Sequence, residues 1–79
     1  MGAMPLQQLE TIGEGRRVRW AILGIVRDDA MLMGTMAGLA RGLRTTIPTL
    51  RSCIHELMET RRITVEVDRH GRLTIRRPD

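Results

Sequence analysis

The sequence predicts a mostly α domain, three helices closed by a small β-hairpin, with a short extra helix at the N-terminus as an option. Two observations carry this. Apolar residues recur at i, i+3, i+4, i+7 and i+8 in two separate stretches, Val18 to Val26 and Leu50 to Met58, the stripe of an amphipathic helix. After Arg62 the period drops to two: Ile63, Val65 and Val67 alternate with Thr64, Glu66 and Asp68, then Leu73 and Ile75 with Arg72, Thr74 and Arg76.

In chain order, residues 1–4 read as a cloning scar. Residues 5–15 carry Leu6, Leu9 and Ile12 at spacing three and read as an arm or a short helical turn ended by Gly13 and Gly15. Helix one spans 16–27, with Val18, Ala21, Ile22, Ile25 and Val26 inward. Trp20 and Leu23 lie off that stripe, and two explanations stand: the N-terminal turn packs over them, or they form a dimer contact. Asp28 and Asp29 break the pattern. The run from Ala30 to Met33 suits one added strand before Gly34 and Thr35 cap helix two. Helix two runs to about Leu43 on an apolar face of Met36, Leu39, Ala40 and Leu43. Gly38 and Gly42 each lower its propensity by roughly 1 kcal/mol against alanine, so packing must hold it.

Thr46 is a good N-cap and Pro48 falls in the first turn, where its missing N–H costs nothing. Helix three then runs to about Arg61. Leu50, Cys53, Ile54, Leu57 and Met58 form its apolar stripe; Pro48, Arg51, Ser52, His55 and Glu59 line the opposite, polar side. The hairpin register follows from its faces. A two-residue turn at His70 and Gly71 opposes Val67 to Thr74 and mixes apolar with polar. A three-residue loop, Arg69-His70-Gly71, opposes Val67 to Leu73, Val65 to Ile75 and Thr64 to Arg76, and gives Gly71 the left-handed position.

Size and charge bound the function. Seventy-nine residues make one domain with a thin core, since chains of this size bury only roughly 60% of their unfolded surface. No apolar run approaches the ~20 residues of a membrane span, and no signal peptide opens the chain. One cysteine, Cys53, allows no internal disulfide, which fits a cytoplasmic protein. All 13 basic residues are arginine, a bias that a GC-rich genome explains without any partner. Their distribution is more informative: residues 1–40 hold four Arg against four acids, and residues 41–79 hold nine against five, so the whole net charge of +4 lies in the second half. That is the footprint of a polyanion binder, with a merely soluble basic surface as the competing explanation.

The stretch Leu39-Ala40-Arg41-Gly42-Leu43-Arg44-Thr45-Thr46-Ile47-Pro48-Thr49-Leu50, followed by Ile54-His55-Glu56-Leu57-Met58-Glu59-Thr60-Arg61-Arg62-Ile63, resembles the winged helix-turn-helix superfamily, most of all bacterial regulators of the GntR and MarR type. The resemblance covers residues 16–77. Two positions depart from it: Arg44 stands where the family has a turn glycine, and Arg61 where it has a glycine after the recognition helix.

The resemblance implies sequence-specific binding of double-stranded DNA in transcriptional regulation, in the nucleoid, with helix three (46–61) in the major groove and the wing (63–76) on backbone or minor groove. Thr46 and Thr49 would donate at the helix start. Arg51, Ser52 and His55 would read base edges, Arg51 foremost because a guanidinium pairs bidentately with guanine; its competing role is a local contact with His55 or Glu56. Arg41 and Arg44 would meet backbone, and Arg69 and Arg72 phosphate or a narrow minor groove. Arg16, Arg17 and Arg19 sit where positive charge disfavours a helix start, and a flanking phosphate is one reason to keep them.

Other chemistries fit poorly. His55-Glu56-Leu57-Met58-Glu59 begins like a zinc-protease helix but lacks the second histidine, and Cys53 faces away from His55 and Glu59, so no metal site is expected. With no lysine or tyrosine and one serine, neither catalysis nor a cofactor is expected. Single-stranded nucleic acid needs aromatic platforms, and only Trp20 exists. Six methionines replace the missing aromatics as core filler, although Met31 and Met33 could form a partner surface. Two alternatives share the fold: a protein–protein module, favoured by Glu56, Glu59, Glu66 and Asp68, and a DNA-binding domain serving replication or segregation. A homodimer is the other option for the surface of Trp20 and Leu23, its candidate contact. The chain ends almost as soon as the wing does, as one domain of a larger protein would.

Overall fold

The computed structural model describes residues 6–78, with side chains from Gly13 onward, and the elements follow as α1 (Leu6–Arg27), β1 (Leu32–Thr35), α2 (Met36–Gly42), α3 (Ile47–Glu59), β2 (Thr64–Val67) and β3 (Arg72–Arg76). Three helices pack against one antiparallel sheet of order β1-β3-β2. Two features differ from the sequence reading. The strand expected over 30–33 forms two residues later, at Leu32–Thr35, and joins the hairpin as a full third strand, so the domain is mixed α/β. The N-terminal turn and helix one are a single 22-residue helix, with no break at Gly13 or Gly15.

The second difference has a packing cause. Gly15 is buried against α3, where a Cβ would stand in ordinary contact with Cys53 Sγ at 4.0 Å and with Arg19 Nη1 at 3.4 Å. Cys53 donates its thiol to the Gly15 carbonyl at 3.4 Å. This tertiary contact offsets the roughly 1 kcal/mol that a glycine costs inside a helix.

The core forms along the predicted stripes. Val18, Ile22 and Val26 of α1 meet Leu39 and Ala40 of α2, Leu50, Cys53, Ile54 and Leu57 of α3, and Ile63, Leu73 and Ile75 of the hairpin segment. Ile22, Leu50 and Ile75 are wholly buried, each contributing about 1.5–3 kcal/mol. Met58 and Val67 belong to the stripes by spacing, yet both are exposed, because each lies where its element leaves the core. The β2–β3 register is Thr64↔Arg76, Val65↔Ile75 and Val67↔Leu73, as the face-matching argument required. Gly71 closes the tip at φ 77°, the left-handed position. β1 pairs on the other edge of β3, Leu32↔Ile75 and Thr35↔Arg72.

Helix ends are set by side chains and by backbone geometry. Thr35 and Thr46 cap α2 and α3, accepting from Gly38 N at 3.0 Å and Thr49 N at 3.3 Å. Both helices end in the same motif, in which one residue turns left-handed and two N–H groups fold back on the last turn. In α2, Arg44 N reaches Arg41 O and Thr45 N reaches Ala40 O, at 3.1 and 2.9 Å. In α3, Arg61 N reaches Met58 O and Arg62 N reaches Leu57 O, at 3.0 and 2.8 Å. The left-handed residues are Arg44 (φ 54°) and Arg61 (φ 59°). Among the described residues no helix is long and apolar enough to cross a membrane.

Candidate nucleic-acid interface

The polar side of α3 is open to solvent. Pro48, Arg51, Ser52, His55 and Glu59 are all exposed, following the spacing that put them on one side of the helix. Thr46 is spent locally: its hydroxyl accepts from Thr49 N and donates to Thr49 Oγ1 at 2.9 Å. Thr49, half-buried, therefore keeps its own hydroxyl proton to donate outward. Arg41 and Arg44 are exposed just before this helix start.

The wing tip is shaped by Asp68, whose Oδ1 accepts from His70 N at 2.8 Å and Arg72 N at 2.9 Å. Arg69, His70 and Arg72 are exposed around it. The pairing of Arg72 with Thr35 sets the tip end of the wing beside the start of α2.

Charge pairing divides the arginines into two groups. Glu56 pairs with Arg19 at 3.1 Å, Glu66 with Arg76 at 2.8 Å, and Asp29 with Arg77 at 3.1 Å, while Glu59 sits 3.7 Å from His55 Nδ1. With Asp68 holding backbone N–H groups, Glu56, Glu66 and Asp68 are engaged within the chain, while Glu59 lies exposed near His55 without a hydrogen bond. Among the described residues, Arg41, Arg44, Arg51, Arg69 and Arg72 have no carboxylate within ion-pair distance, and neither do Arg16, Arg61 and Arg62. The local role weighed for Arg51, a contact with Glu56, is thus taken by Arg19.

Two arginines near the start of helix one also have structural work. Arg17 donates from Nη1 to Leu43 O at 2.9 Å and from Nη2 to Arg44 O at 2.8 Å, tying α1 to the α2–α3 turn. Arg19 ties α1 to α3 through Glu56. Nothing in the local sequence signals either contact, because the partners lie 26 to 37 residues away. Arg16 is exposed.

Trp20 is 70% exposed and Leu23 half-buried against the core. The N-terminal turn does not fold back over Trp20, since it continues the α1 axis. Met31 and Met33 are exposed as well. Cys53 is buried, and burial pushes its thiol above the ordinary value, with Arg19 opposing the shift and Glu56 adding to it. Among the described residues no cluster of three His, Cys, Asp or Glu could hold a metal ion. No family model, curated protein or solved structure matches this chain.

Proposed function

We propose that this chain is a winged helix-turn-helix domain that binds double-stranded DNA sequence-specifically and serves transcriptional regulation in the cytoplasm. Helix α3 enters the major groove, where Arg51, Ser52 and His55 read base edges. Thr49, Arg41 and Arg44 hold flanking phosphates, and Arg69 and Arg72 at the wing tip take backbone or minor groove.

The observation that carries this reading is the division of charge. Glu56, Glu59, Glu66 and Asp68 are the residues that favour a protein-binding module, and three of them, Glu56, Glu66 and Asp68, are already paired within the chain. The five candidate arginines are left without carboxylate partners among the described residues, and exposed unpaired guanidinium groups are what a phosphate backbone recruits. Glu59 is compatible with this arrangement because it is the last residue of α3, far from the groove-entering end.

The test is selection from a random pool of duplex oligonucleotides. The wild type should enrich a motif, and Arg51→Ala should relax it at one or two positions, at ~1–3 kcal/mol of lost discrimination per position. Failure to enrich any duplex sequence would remove sequence-specific recognition from the account.

A further inference from the structure

On α1, away from the entering end of α3, Trp20 stands as a ridge between two hollows. One is lined by Leu23, Gly24, Val26, Arg27, Arg62 and Arg77. The other is lined by Arg19, Leu23, Glu56, Leu57, Thr60 and Arg62. We propose that the first hollow docks an acidic segment of a partner protein through a bulky apolar side chain laid against Trp20. This goes beyond DNA binding and does not rest on it.

The floor is apolar and open. Trp20 is the chain's one aromatic residue and is 70% exposed, Leu23 continues its surface, and no neighbouring side chain lies within 4 Å of where a Cβ at Gly24 would stand. An exposed tryptophan beside a concave apolar surface is the kind of anchor that dominates protein interfaces.

The rim selects the partner's charge. Three arginines line this hollow and no carboxylate does. Arg77 is held by Asp29 at 3.1 Å, and Arg27 lies 3.9 Å from its neighbour Asp28. Arg62 borders both hollows and has no carboxylate partner among the described residues. A second copy of this chain is the poorer occupant: a two-fold axis through the hollow would set Arg62, the rim arginine without a carboxylate partner, against its own copy. An acidic segment with one large apolar residue satisfies both floor and rim, and charge of that sign also steers its approach. The surface of Trp20 and Leu23 thus goes to a different protein rather than to a second copy.

Trp20 reports directly, being the only tryptophan. The probes are a short peptide of alternating Glu and Leu, its Lys-for-Glu counterpart, and a duplex oligonucleotide. The Glu–Leu peptide should shift Trp20 emission to the blue in a saturable way, and the Lys–Leu peptide should not. Arg62→Glu should weaken the Glu–Leu peptide about tenfold while leaving the melting transition in place, because Arg62 is exposed. A labelled Glu–Leu peptide should lose binding to Trp20→Ala by anisotropy, a second variant at an exposed position. The proposal is overturned by an equal response to both peptides, by no saturable response, or by Arg62→Glu without effect. It is equally overturned if duplex DNA displaces the peptide, which makes the hollow a polyanion site, or if Trp20 emission tracks protein concentration alone with a dimer in sedimentation.

Discussion

The guanidinium of Arg17 donates to the main-chain oxygen of Arg44 at 2.8 Å, across 27 residues of chain. With the companion bond to Leu43 O, it fixes the turn from which α3 starts, so the direction of α3 depends on α1. The contact lies at the surface, which discounts its charge-assisted strength, and Arg17→Ala should cost about 1 kcal/mol, a melting-temperature drop of roughly 4–8 °C. On DNA, Arg17→Ala should weaken sequence-specific binding while leaving the salt slope unchanged. A slope reduced by about one unit would instead make Arg17 a phosphate contact.

Arg44 and Arg61 hold left-handed backbone with L side chains at two helix ends. That conformation costs roughly 1–2 kcal/mol, and glycine avoids it while giving back about half through the entropy of the unfolded chain. Arg44→Gly and Arg61→Gly should each raise stability by roughly 0.5–1 kcal/mol, seen as a higher denaturant midpoint at constant m. A lower midpoint would mean that the arginine side chains, not the backbone, hold these turns.

These two positions also show what the sequence made legible. The resemblance marked both sites as glycine positions but left the turn geometry open once arginine stood there, and the backbone proves left-handed despite the arginines. The hairpin register was readable because only one pairing puts Val65, Val67, Leu73 and Ile75 on one face, and Thr46 because its cap chemistry is local. The continuity of α1 was not, because propensity penalises Gly15 while the benefit comes from Cys53, 38 residues away. Arg17 and Arg19 escaped for the same reason. Local rules cannot separate an arginine that ties two helices from one that waits for a phosphate.

Cys53 gives a pH prediction with a clean background, because the chain has neither lysine nor tyrosine. The residue types that ordinarily share the range of roughly pH 9 to 11 with a thiol are thus absent. Burial raises the folded-state value, so the folded protein holds the thiol proton longer than the unfolded chain. Its contribution is fully present below the ordinary thiol value and is lost as pH rises through the raised folded value, at a slope of at most about 1.4 kcal/mol per pH unit. Chemical denaturation across the alkaline range should show this decline in the wild type and a flat profile in Cys53→Ala. A decline of equal size in Cys53→Ala would place the titrating group elsewhere.

The central claim is that the unpaired arginines of α3 and the wing meet duplex DNA. Its most direct test is a salt series of duplex binding on the wild type, Arg51→Ala and Arg69→Ala. The account predicts a steep negative slope of log affinity against log salt in the wild type, flattened by about one unit in Arg69→Ala, with Arg51→Ala losing sequence preference. Undetectable binding at ~50 mM salt, where even non-specific DNA binders associate, would contradict it.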